Sequence, residues 1–75
     1  MTVTEAFKNG LREVWGSPRQ VAQKGFSELF NHEEELGLLD YDDQINYALD
    51  IGVLAGEMKD KTPEEFIESF EKLFE

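Results

Sequence analysis

The sequence predicts an all-α fold: a small, four-helix bundle-like single domain over residues 1–75, with a short turn or helical loop between helices two and three. Three observations lead there. Apolar residues recur at three- and four-residue intervals along most of the chain. A capping residue followed by proline marks two helix starts, Ser17-Pro18 and Thr62-Pro63. No segment alternates as a strand would, and the one unpatterned apolar piece, Leu36 to Leu39, is short and interrupted by Gly37.

The first helix is expected to start at Thr2, which forms a capping box with Glu5. Val3, Phe7, Leu11, Val14 and Trp15 follow at helical spacing, and Gly16 ends the helix. Ser17-Pro18-Arg19-Gln20 then supplies a cap, a proline at the first helical position and a glutamine two residues later. Val21, Ala22, Phe26, Leu29 and Phe30 form one face of this second helix. Asn31 to Gly37 reads as a loop or a single helical turn in which Asn31 and Glu34 cap each other. Asp40 with Asp43 starts the third helix, roughly residues 41–59. Thr62-Pro63-Glu64-Glu65 starts the fourth, which runs to the C-terminus.

Helices three and four differ in pattern. The fourth is two-faced, with Phe66, Ile67, Phe70, Leu73 and Phe74 opposite a glutamate stripe at 64, 68, 71 and 75. The third is apolar over most of its circumference, broken only by a line of Asp43, Asp50 and Glu57. That pattern predicts a central helix with one wet edge. Ala48, Gly52 and Gly56, four residues apart, predict close approach of another backbone. The expected core is Phe7, Leu11, Val14, Val21, Phe26, Leu29, Ile45, Leu49, Phe66, Phe70 and Leu73.

Charge is polarised along the chain. Between Lys24 and Lys59 no basic residue occurs, and nine carboxylates do. Residues 1–24, 25–58 and 59–75 carry formal charges of +2, −9 and −3, which recover the net −10. Glu33, Glu34, Glu35, Asp40, Asp42 and Asp43 crowd into eleven residues. Like charges repel even in a high-dielectric setting, and a sequence shaped by stability alone intersperses lysines. Helix N-termini favour acids, which explains part of the pattern. A surface this acidic is repelled by nucleic acid and by anionic membranes and attracted to cationic protein surfaces.

Chemistry-bearing motifs are sparse. With no cysteine there is no disulfide framework, thiolate or Cys-based zinc site. An EF-hand loop aligned from Asp40 has Ile45 where the turn needs glycine and Ile51 where a bidentate glutamate is needed. His32, the only histidine, has Glu28 four residues before it and Glu35 three after, too few ligands for a zinc or di-iron signature. It is expected at the surface or in a cap. Ser17, Ser27 and Ser69 lack a nucleophile-elbow context. Gly52 and Gly56 are not followed by Lys-Ser or Lys-Thr, so no phosphate loop is indicated. No catalytic residue, metal or cofactor is therefore assigned, and a non-enzymatic protein is expected. The N-terminus lacks a signal-peptide pattern and no apolar run reaches membrane-span length, which gives a soluble cytoplasmic protein as the expectation.

Size, acidity and helix count resemble those of acyl carrier proteins, which carry their prosthetic group on the serine of an Asp-Ser-Leu motif at the start of the second long helix. The corresponding stretch here, Leu39-Asp40-Tyr41-Asp42-Asp43, has no serine, so the resemblance implies no carrier function. In architecture and charge the chain is also similar to the acidic four-helix immunity proteins that inhibit bacterial nucleases, although their Tyr-Tyr-Pro segment is absent.

The expectation from sequence is a small acidic inhibitor or regulator that occupies the basic nucleic-acid-binding groove of a larger protein by mimicking nucleic acid. Phage counter-defence and nuclease inhibition are settings for such a protein. The partner-binding residues expected are Glu33, Glu34, Glu35, Asp40, Asp42, Asp43, Asp50 and Glu57. No direct contact with nucleic acid or membrane is expected, and the chain is a monomer or homodimer. The alternative is an assembly or adaptor subunit that binds its partner through apolar surface on helices three and four. A mimic loses affinity with salt, whereas an apolar adaptor keeps it.

Overall fold

The computed structural model describes residues 2–37 and 40–73, and for Glu35 and Leu36 the backbone only. The elements in chain order are α1 (Glu5–Val14), α2 (Pro18–Asn31), the single turn α3 (Glu33–Leu36), α4 (Tyr41–Glu57) and α5 (Pro63–Leu73). The expected helices three and four are α4 and α5. The fold is all-α, and no strand occurs among the described residues.

Two of the four starts follow the capping chemistry read from sequence; α2 begins at Pro18 as expected, but the Ser17 side chain makes no capping bond. The Asp40 carboxylate accepts the Asp43 N–H at 2.8 Å, and the Thr62 hydroxyl accepts the Glu65 N–H at 3.2 Å. Gly16 closes α1 with a φ of 103°, where a side chain would be strained. The first cap differs from expectation: Thr4, not Thr2, accepts the Phe7 N–H, at 3.1 Å. Both threonines suit the local pattern, but only Thr4 also binds Glu28 across the fold. Asn31 and Glu34 do not cap each other; Asn31 instead donates to Glu28.

The four longer helices pack as a ring. Going round, α1 lies against α2, α2 against α4, α4 against α5, and α5 against α1. The Cα radius of gyration, 11.4 Å, is that of a close-packed chain of this length. Val3, Phe7 and Leu11 meet Val21 and Leu29 of α2, Ile51 and Ala55 of α4, and Phe66, Ile67 and Phe70 of α5 in one buried cluster. The Phe70 ring lies 5.0 Å from Phe7 and 6.0 Å from Phe66 between centroids, and Trp15 meets Phe66 edge-on. The Trp15 indole donates to the Lys61 carbonyl at 2.9 Å, which pins the end of α1 to the α4–α5 connection. Arg12 of α1 reaches Glu64 of α5 at 3.4 Å, an ion pair between neighbouring helices of the ring.

Three packing expectations are overturned. Helix α4 is one wall of the ring, not its centre. Ile45 and Leu49, expected in the core, are exposed, and so is Phe30. Gly52 and Gly56 face open space, with nothing within 4 Å of where a Cβ would sit. The close approach is at Gly25 of α2, where a Cβ would lie 2.6 Å from Ile51 Cγ2. That socket draws Ile51 inward and fixes the rotation of α4. Ala55 lies on the same inward arc, and the row at 41, 45, 49 and 53 is turned outward.

Candidate interaction surface

The surface of α4 divides lengthwise into three strips. Ile51 and Ala55 mark the buried strip, flanked by half-buried Gln44, Tyr47, Ala48, Leu54 and Met58. At about 100° per residue, the next strip is mainly apolar and exposed: Tyr41, Ile45, Leu49 and Val53, with Gly52 and Gly56 among them and Asp42 at its N-terminal end. Their exposures run from 40% at Ile45 to 75% at Tyr41, far above those of core residues. Beyond Val53 lies the third strip, the line of Asp43, Asp50 and Glu57, all exposed. The apolar strip continues onto α2 across an open groove of about 320 Å³, walled by Phe26, Leu29 and Phe30 on one side and by Tyr41, Ile45 and Ala48 on the other. Phe30, itself 57% exposed, forms the rim. Glu33 joins Phe30, Leu29 and Gln44 around a smaller hollow beside it.

Every described carboxylate of the expected binding set is exposed: Glu33, Glu34, Asp40, Asp42, Asp43, Asp50 and Glu57. The Glu35 side chain lies outside the described residues. The cations that form ion pairs go elsewhere, Lys8 to Glu5, Arg12 to Glu64 and Lys72 to Glu68. Among the described residues, none of the seven carboxylates takes part in an ion pair. Local helix chemistry explains some of them. Asp40 is a cap, and Asp42 and Asp43 occupy the first turn of α4, where the helix dipole favours acids. It does not explain Asp50 at mid-helix. It opposes Glu57, the last residue of α4, where the dipole favours a cation and the last turn contains none.

Glu28 belongs to a different region. It is one of the nine acids in the lysine-free segment, yet it is 1% exposed. Its carboxylate accepts the Thr4 N–H at 2.6 Å, the Thr4 hydroxyl at 3.1 Å and the Asn31 amide at 3.2 Å. His32 Nε2 lies 3.1 Å from it. Burial pushes this carboxyl up, but the bonds from the Thr4 N–H, Asn31, His32 and the Thr4 hydroxyl outweigh burial and hold it below its ordinary value. Glu28 thus clasps the start of α1 to the end of α2. His32 occupies the α2–α3 junction as the C-cap of one helix and the N-cap of the next, a cap position as expected, but its side chain is buried against Glu28 and not at the surface.

His32 pairs with the Glu28 carboxylate. No group of three or more histidine, aspartate and glutamate side chains able to hold a metal ion occurs among the described residues. No described helix is long and apolar enough to cross a membrane. Sequence reasoning assigned Ile45 and Leu49 of this strip to the core. The row at 41, 45, 49 and 53 lies about a third of a turn from 51 and 55, and in sequence the two merge into one broad apolar face. Comparison of the chain with protein-family models, with curated proteins and with solved structures finds no match.

Proposed function

We propose that this protein is a small non-enzymatic regulator that binds the basic, nucleic-acid-binding surface of a larger protein and competes there with nucleic acid. The observation that carries the reading is the absence of internal neutralisation. Among the described residues, seven exposed carboxylates take part in no ion pair, and Asp50 and Glu57 stand where helix stability does not favour them. Carboxylates in this state keep their full attraction for external cations. Opposite charge steers such an encounter, so association is fast and falls with ionic strength. The binding set is Glu33, Glu34, Glu35, Asp40, Asp42, Asp43, Asp50 and Glu57, each pairing with a lysine or arginine that otherwise holds phosphate.

A second reading is favoured by the exposed strip on α4. Four large apolar residues in one row, with Phe30 beside them, suit an adaptor held by apolar burial. Ionic strength separates the two. The test is capture from cell extract on immobilised protein, at low and moderate salt, with and without competing duplex DNA. The mimic captures nucleic-acid-binding proteins that duplex DNA and salt release, and the Glu34→Lys/Asp42→Lys/Asp43→Lys variant fails to capture them with its helicity intact. Capture unchanged by the triple substitution and indifferent to DNA removes the first reading. Capture that also survives salt supports the adaptor.

A further inference from the structure

We infer that the apolar strip of α4 is the anchor of the interface, and that its occupant is a basic amphipathic helix of the partner. The inference rests on the proposed binding of a cationic protein and specifies which element of it docks. Tyr41, Ile45, Leu49 and Val53 repeat every four residues, the spacing of an i±4 ridge, and they span about 18 Å of helix axis. A ridge of this kind receives the apolar ridge of a second helix. The groove between this row and Phe30 offers a seat for that helix's side chains.

Charge decides what kind of helix fits. One edge of the strip is the Asp43, Asp50 and Glu57 line, and Glu33 stands beyond Phe30 near the other edge. A helix whose apolar face is flanked by lysine or arginine fills the strip and meets these carboxylates together. An acidic helix meets repulsion on the same edges. A second copy of this chain is disfavoured for the same reason. Two α4 helices packed antiparallel about a two-fold axis bring acid line to acid line, and each copy carries a net charge of −10. Gly52 and Gly56 add no bulk to the strip and leave room for a second backbone.

The probe is a leucine–lysine peptide of about 18 residues, long enough to hold several helical turns, with leucines at i, i+3, i+4 and i+7. Its controls are a scramble of the same composition and a leucine–glutamate counterpart. Calorimetric titration is run at two salt concentrations against the wild type, Leu49→Ser/Val53→Ser and Asp50→Lys/Glu57→Lys, each checked for helicity. The wild type binds the leucine–lysine helix in preference to both controls. The serine variant loses roughly tenfold or more in affinity at both salt concentrations, the size of a lost interface anchor. The lysine variant loses affinity mainly at low salt. Equal binding of the scramble, with no effect of the serine substitutions, overturns the anchor but leaves a cationic partner standing. Equal binding of the glutamate peptide overturns the charge match. If neither lysine peptide binds, both the anchor and the cationic partner fall. A homodimer in sedimentation that dissociates in the serine variant overturns the inference in favour of a second copy.

Discussion

Helices α4 and α5 pack side by side, and both are rich in apolar residues, yet they use them in opposite ways. In α5 the large apolar residues Phe66, Ile67 and Phe70 all turn inward, and the first and last of these are fully buried. In α4 only Ile51 and Ala55 are fully buried, with Tyr47, Leu54 and Met58 half-buried beside them, and Tyr41, Ile45, Leu49 and Val53 face out. The acids divide in the same manner. Glu28 is buried and hydrogen-bonded in the α1–α2 seam, whereas Asp43, Asp50 and Glu57 stand exposed without ion-pair partners among the described residues. Stability is concentrated in the ring's interior and the Glu28 clasp. The outer face of α4 contributes little to it and is free to serve a partner.

Truncating a core ring is the severest test of that division. Phe70 touches Phe7 and Phe66 and is 0% exposed, so Phe70→Ala is expected to cost roughly 3–5 kcal/mol. That is a large share of the stability of a domain this small. Leu49→Ala is expected to change stability by no more than about 0.5 kcal/mol. Urea unfolding of both variants checks the pair. A Leu49 cost close to that of Phe70 would mean that α4 is a buried central helix after all, and the comparison would fail.

The clasp comes next in size. Removing the charged acceptor by Glu28→Gln leaves the donors of Thr4, Asn31 and His32 with a poorer partner, for an expected loss of roughly 1–3 kcal/mol near neutral pH. Because the folded carboxyl is held below its unfolded value, its stabilisation is fully present above the unfolded value of about 4.3. It is lost as pH falls through the lowered, folded value. The gap between wild type and Glu28→Gln should therefore close as the solution is acidified below that range. Using the difference cancels the general relief of repulsion that acid brings to so acidic a chain. A gap that stays constant or widens in acid would show that Glu28 is not the bonded carboxylate described here.

Local chemistry was legible in the sequence and tertiary phase was not. The starts at Asp40, Thr62 and Pro18, the stop at Gly16 and the inward face of α5 all follow from residues within one or two turns of each other. The rotation of α4 could not be read because its apolar residues cover so much of the wheel that no single phase stands out. A missing side chain on another helix, at Gly25, sets it. The burial of Glu28 and His32 was hidden for a similar reason: the partner that makes it tolerable is Thr4, 24 residues away. The acids of the candidate surface were legible as a composition, but whether the bases of α1 and α2 fold against them was not, because it depends on pairings such as that of Arg12 with Glu64, 52 residues away. The apolar strip beside them was not, because a row of exposed leucine, valine and isoleucine looks in sequence like core.

The two kinds of glycine give the smallest and sharpest test. Alanine is favoured over glycine in a helix by about 1 kcal/mol when nothing else changes. At Gly52 the space for a Cβ is open, so Gly52→Ala is expected to stabilise the protein by about that amount. At Gly25 the same methyl would lie 2.6 Å from Ile51 Cγ2 and 3.3 Å from Phe70 Cε2. Ile51 is β-branched and cannot swing aside cheaply, so an overpacking cost of roughly 1–3 kcal/mol offsets the helix gain. Gly25→Ala should be destabilising on balance. Replacing Ile51 by leucine removes the Cγ2 branch, and the cost of Gly25→Ala should shrink in that background. A double-mutant cycle in urea measures this coupling. Additive effects would mean that the Gly25 socket does not set the rotation of α4, and with it would go the reason that Leu49 and Val53 face outward.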